Sequence, residues 1–178
     1  TGNPTFGNAW FMWGIIPPNT IYWVDNPKNG KLQYTKEEPK PLNNLFELLI
    51  NKKVIIFGVP GAFTPTCSEK HLPGFLKLSD KIKNKGIDDI FCLSVNDKFV
   101  MQSWLLSYSN GNNIKGIADG NAEIRKALEV TRNKSANFMG LRCTRFAMII
   151  NDNNIMKTFI EEPGRLETSS AENVLKNI

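Results

Sequence analysis

Cys67 lies in the stretch "VIIFGVPGAFTPTCSEKH" (54–71), eight residues after an apolar run ends at Val59. Thr64 offers a hydroxyl suited to a helix N-cap, accepting from the N–H of residue 66 or 67, and Pro65 suits the first helical position, where a missing N–H costs nothing. Cys67 is then the third helical residue, close to unpaired backbone N–H groups and the positive end of the helix dipole. Cysteines in such surroundings exchange a pKa of ~8.5 for one between ~3.5 and 7.5 and become nucleophiles. The plainer reading, a small buried hydrophobe, explains neither the cap, nor the proline, nor the strand-to-helix junction.

His71, the only histidine of the chain, follows one helical turn later. A Cys–His dyad is one reading. The other is a structural place in a polar network, because a side chain at i+4 sits below the sulfur along the helix and not across a cleft from it. Pro73 cannot donate to the Glu69 carbonyl, so the helix is expected to bend there. "FLKLSDKIKNKG" then resumes helical spacing and stops at Gly86.

The rest of the chain must hold this cysteine. With 178 residues, mean hydropathy −0.28 and 41% hydrophobic residues, it suits one domain, 1–178, with an irregular extension over 1–15. No apolar run nears the ~20 residues of a membrane helix, so no membrane partner is expected. The chain does not begin with Met, which leaves room for a removed targeting segment. The net charge of +5 comes from lysines interleaved with acids ("KEEPK", "KIKNKGIDD"), a solvated surface rather than a nucleic-acid groove. Three cysteines, Cys67, Cys92 and Cys143, form no disulfide framework and point to a reducing intracellular compartment, cytosolic or organellar. With one histidine there is no metal-ligand spacing, and no metal is expected.

"TIYWV" and "KLQYT" flank Asn29-Gly30 and read as an N-terminal hairpin. "PLNNLFELLI" reads as a short helix starting near Pro41. "KVIIFGV", "IFCLSV" and "IKGIAD" read as strands, separated by the helix ending near Gly86 and by "KFVMQSWLLSYS". "NAEIRKALEV" is helical with Asn121 as candidate cap, "TRFAMIIN" and "NIMKTFIEE" form a hairpin around "DNN", and "SSAENVLKNI" is a closing helix capped by Ser169 or Ser170. The order βαβα, βα, ββα predicts an α/β fold: a mixed central sheet with helices on both faces.

"PGAFTPTCSEKHLPGF" (60–75), with Pro60, Thr64 and Cys67 in the pattern Pro-x-x-x-Thr-x-x-Cys, resembles the active-site segment of peroxiredoxins of the type-5 or plant type-II subfamily. "KGIDDIFCLSVNDKFVMQSW", "IADGNAE", "TRFAMIIND" and "SSAENVLKNI" match in the family's order, so the resemblance runs from about residue 16 to the end. It implies a thioredoxin-like fold and a peroxidase without metal, haem or other cofactor. It further implies that a Cys67 thiolate attacks the peroxide and becomes a sulfenic acid. In that scheme Pro60 shields the sulfenate, Thr64 orients the peroxide, and Arg145 of "TRF" steadies the thiolate and the leaving oxygen. A homodimer is implied as well, with the Pro60–Phe63 loop near the contact. The chemistry suits the residues, since a leaving alkoxide needs fixed donors and a guanidinium supplies several in a rigid fork.

The chain departs from its relatives in two places. Thr168 stands where animal type-5 members carry a resolving cysteine. Cys92, 25 positions after Cys67, matches a second cysteine of plant members, yet it falls in a strand expected to be buried. A bridge to Cys67 would need Cα atoms within ~7 Å, so a core thiol is the preferred reading. Cys143, expected in a loop, is either a partner thiol or a chance surface thiol. These readings favour a one-cysteine mechanism completed by an external thiol, glutathione with glutaredoxin, with thioredoxin as the other reductant. A redox sensor or holdase using the same cysteine is the alternative function. A thiol–disulfide oxidoreductase would need Cys-x-x-Cys, and positions 64 and 70 are threonine and lysine.

Overall fold

A computed structural model of the chain describes residues 21–24, 41–42 and 48–178. "KVIIFGV" forms β3 (Lys53–Gly58), buried on both faces like a central strand of an α/β sheet. It runs parallel to β4 (Asp89–Ser94), which is parallel to β5 (Lys115–Ala118). On its other side β3 is antiparallel to β8 (Phe146–Asn151), which turns through Asp152 and Asn153, both at positive φ, into the antiparallel edge strand β9 (Asn154–Ile160). At the opposite edge β5 pairs antiparallel with β1 (Ile21–Val24), and β1 with β2 (Pro41–Leu42), giving the order β2-β1-β5-β4-β3-β8-β9.

Alternation along β3 divides the core. Ile55 and Phe57 join Phe75, Leu76, Ile82, Trp104 and Val174, from the long helix 65–84, α2 (Lys98–Leu106) and α4 (Ala171–Lys176). The regular part of that long helix is α1 (Leu72–Asn84). Val54 and Ile56 pack on the opposite side with Leu49, Phe146, Met148 and Ile124 of α3 (Glu123–Ala127). The expected mixed sheet with helices on both faces is therefore present.

Several local expectations are corrected. Pro41 and Leu42 do not open a helix but pair with Tyr22 and Ile21; Pro41 occupies a sheet-edge strand, the place where a missing N–H is tolerated. The Asn29-Gly30 turn and "KLQYT" lie outside the described residues. Asn121 does not cap α3; Ala122 takes the cap position at φ +59°, and the Asp119 carboxylate accepts from the N–H groups of Ile124 (3.2 Å) and Arg125 (2.8 Å). Ser170 caps α4, accepting from Asn173 N–H at 3.3 Å. A short hairpin, β6 (Thr131–Asn133) with β7 (Leu141–Cys143), occupies a stretch in which no strand was expected. Cys143 accordingly lies in a strand and is fully buried, neither in a loop nor at the surface.

Candidate active site

The register Gly58↔Phe146 places the carboxyl end of β3 beside the amino end of β8. The loop after β3 and the residue before β8 therefore meet at one end of the sheet. Their approach is close: a Cβ on Gly58 would lie 2.0 Å from the Phe146 ring, so only glycine fits. Arg145 thus stands over the start of the helix that carries Cys67.

Val59 N–H donates to the Leu93 carbonyl, and the Val59 carbonyl accepts from Cys143 Sγ at 2.9 Å. Ala62 N–H donates to Asn96 Oδ1 at 3.0 Å, and the same oxygen accepts from the Ser94 hydroxyl. Nearby, Arg142 ties β7 to the end of β4, donating to the carbonyls of Met139 and Val95. Pro60 is buried within this frame, while Phe63, at φ +61°, is 56% exposed. Left-handed backbone at a bulky residue is a strained turn that its surroundings must enforce.

The helix begins at Pro65, and the Thr64 carbonyl accepts its first bond, from Ser68 N–H at 2.9 Å. The Thr64 hydroxyl, expected to accept from a helix N–H, donates to the Gly61 carbonyl at 2.7 Å. With its proton committed there, the hydroxyl keeps its lone pairs as acceptors. Cys67–His71 form one wide turn, in which the Leu72 N–H bonds the Cys67 carbonyl five residues back. The wide turn lies directly before Pro73, the residue at which a bend was expected.

Cys67 is 1% exposed. Arg145 Nη2 donates to its Sγ at 3.3 Å, and Arg145 Nη1 to His71 Nδ1 at 3.0 Å. His71 Nε2, which must then carry the ring proton, donates to the Ser169 carbonyl at 3.0 Å. Ser169 is held by Glu161, whose Oε1 accepts from the Ser169 N–H and hydroxyl and from the Glu167 N–H. Burial first, and the Arg145 charge second, lower the pKa of His71 to about 3, so the ring is neutral. Its acceptor nitrogen is occupied by Arg145 and its donor by Ser169. His71 is placed to orient the guanidinium and has no lone pair left for abstracting a proton. Phe57 and Phe75, stacked at 4.1 Å, wall the imidazole in.

The other two thiols are strand residues, and Cys92 shares the core cluster of Cys67. Cys92, in β4 between Phe57 and Gly116, is fully buried, and burial pushes its pKa well up. Cys143 packs with the cluster on the opposite face of the sheet from Cys67, and burial raises its pKa strongly. Among the described residues no group of three or more His, Cys, Asp or Glu is placed to hold a metal, and no helix is long and apolar enough to cross a membrane. Sequence reasoning did not find Asn96, Arg142, Glu161 or Ser169. Only the position of Asn96 just past a buried strand was a signal, and a weak one.

The redoxin family model matches residues 25–175. Peroxiredoxin-2B of Arabidopsis thaliana is 39% identical over 162 residues, covering 91% of this chain and 94% of that protein. The chain belongs to the peroxiredoxins. Among solved structures, reduced Prx3 from Vibrio vulnificus in complex with hydrogen peroxide is similar with TM-score 0.81 and 41% identity, covering 93% of this chain and 96% of that one. The Plasmodium falciparum antioxidant protein, described as a 1-Cys peroxiredoxin, is similar with TM-score 0.80 and 34% identity, covering 92% and 97%. Peroxiredoxins are thiol peroxidases, so this chain is an oxidoreductase that reduces peroxides at the expense of thiols, and its fold is the thioredoxin-like fold the resemblance implied.

In this peroxiredoxin the Thr64 hydroxyl lies between the loop and the thiol-bearing turn. Thr64→Val is expected to lower the second-order rate with hydrogen peroxide roughly 10- to 100-fold through misplacement of the peroxide, with the thermal midpoint little changed. Stopped-flow rates beside a thermal melt would check this; a collapsed melt would make the threonine chiefly structural.

Proposed function

We propose that Cys67 is the peroxidatic cysteine and that the enzyme works by a one-cysteine mechanism. The observation that carries this is the pair of bonds from one guanidinium, Nη2 to Cys67 Sγ and Nη1 to a neutral histidine. The Cys67 thiolate gives an electron pair to the nearer peroxide oxygen, the O–O bond breaks, and the far oxygen leaves as water or an alcohol after taking a proton. Arg145 is aimed where that charge develops, Thr64 orients the peroxide, and buried Pro60 keeps solvent from the sulfenic acid that results.

An external thiol, with glutathione and glutaredoxin the favoured pair over thioredoxin, then displaces hydroxide from the sulfenic sulfur to give a mixed disulfide and water. A second thiol releases Cys67 and leaves with the first as a disulfide. Two features support an external donor: Cys92 is locked in a central strand, and Cys143 belongs to the other face of the sheet. The 1-Cys description of the Plasmodium relative points the same way. Exposed Phe63 and Phe138, with Met139 reaching Gly61, offer an apolar rim suited to a homodimer contact beside the loop. A reducing compartment, cytosolic or organellar, would supply the thiols.

The test is the double variant Cys92→Ala/Cys143→Ser, which keeps the Val59 contact a donor and the strand apolar. Glutathione/glutaredoxin-supported turnover is expected within about twofold of the parent, and to exceed thioredoxin-supported turnover. Loss of turnover in the double variant would sink the one-cysteine scheme.

A further inference from the structure

The wide turn that carries Cys67 depends on how few N–H groups are available to its carbonyls. The Leu72 N–H donates to the Cys67 carbonyl, five residues back, whereas an ordinary helix would pair it with the Ser68 carbonyl, four back. Continuing the wide register would require residue 73 to donate to Ser68, and residue 73 is proline. The Ser68 carbonyl is thereby left without an N–H donor from its own helix, a condition that favours a partner from elsewhere. Its missing donor comes from outside the helix: the Tyr108 hydroxyl donates to it at 2.6 Å. Trp104 Nε1, from the last turn of α2, donates to the Ser68 hydroxyl at 2.9 Å.

We infer that Tyr108 is a positioning residue for Cys67: its phenol replaces the N–H that Pro73 lacks and so holds the wide turn that presents the Cys67 sulfur to Arg145. Pro73 supplies the other half of the device, because its ring would strike the Glu69 carbonyl in ordinary helical geometry. With Tyr108 serving Ser68, the Leu72 N–H is left to Cys67. Without it, the ordinary register becomes the cheaper pairing, since Leu72 then rescues Ser68. The width of the turn fixes where Cys67 stands relative to His71, four residues on, and both must face one guanidinium together. A change of register would separate them.

This inference rests on the peroxidatic role of Cys67 proposed above, and its test keeps the two apart. In the Cys92→Ala/Cys143→Ser background, Tyr108→Phe is expected to lower the second-order rate with hydrogen peroxide about tenfold and to slow iodoacetamide alkylation of Cys67 at pH 7, with an unchanged far-ultraviolet circular dichroism spectrum. A parental peroxide rate in Tyr108→Phe, or an unslowed alkylation of Cys67 in it, would overturn the inference. If peroxide consumption survived Cys67→Ser, the proposed function would fall instead. Alkylation of Cys67 in Tyr108→Phe would then decide the inference alone, and an unchanged alkylation rate would refute it.

Discussion

Arg145→Lys is expected to slow reduction of hydrogen peroxide by two to three orders of magnitude, and Cys67→Ser to abolish it. The guanidinium makes two directed bonds at once, to Cys67 Sγ at 3.3 Å and to His71 Nδ1 at 3.0 Å. Lysine keeps the charge but offers one compact donor group on a flexible stem, so it cannot hold both partners in one plane. Losing a preorganised donor at a developing oxyanion costs about 10²–10³ in rate, or ~2.7–4 kcal/mol of barrier. The measurement is a stopped-flow rate at neutral pH with peroxide varied below saturation. A loss under fivefold in Arg145→Lys would mean that charge alone, without the fork, is sufficient. Arg145 also accepts from Glu161 N–H through its carbonyl, a backbone contact that the substitution leaves intact, so the fold should survive.

The second large effect concerns acid. His71 is neutral in the folded protein, with its pKa lowered to about 3 against 6.5 for the free side chain, by burial and by Arg145. A depressed value means that the unfolded chain binds the proton more readily, so stability is fully present above about pH 6.5 and is lost as pH falls toward the folded value. Between pH 7 and 5 this single group should remove roughly 2 kcal/mol of unfolding free energy. Urea unfolding of the parent and of His71→Gln at both pH values isolates the contribution, because every carboxylate is common to the two proteins. The parent should lose about 2 kcal/mol more than the variant over that interval. Parallel losses would mean that His71 is protonated, or free to become so, in the native state. The same comparison bears on chemistry: a neutral ring can accept from Arg145, whereas a protonated one would repel it and turn the guanidinium from the sulfur.

The chain's own letters disclose a good deal of this. The β-branched run before Pro60 and the apolar strand at 90–95 can be read as buried because both faces of a central strand must be apolar. Pro65 and Cys67 can be placed on a first helical turn because those constraints act within a few residues. Pro73 announces a bend for the same local reason. Local rules failed where a distant partner intervened. Pro41 and Leu42 join a strand because β1 needs an edge partner, and the cap of α3 comes from Asp119 because the chain reaches that helix through a left-handed residue. Cys143 looked like a loop thiol because nothing near it in sequence reveals the β6–β7 hairpin or the Val59 carbonyl that it serves.

The amino-acid sequence by itself determined the α/β architecture, the peroxiredoxin resemblance and the cysteine at a helix start, because periodicity and proline chemistry are short-range. Tertiary structure alone decided what surrounds the sulfur. The antiparallel register of β3 with β8 brings Arg145 across 78 positions to Cys67, and the C-terminal segment adds Ser169, 98 positions from the His71 ring it fixes. A hydrogen bond depends on distance in space, and for groups so far apart along the chain only the folded sheet sets that distance.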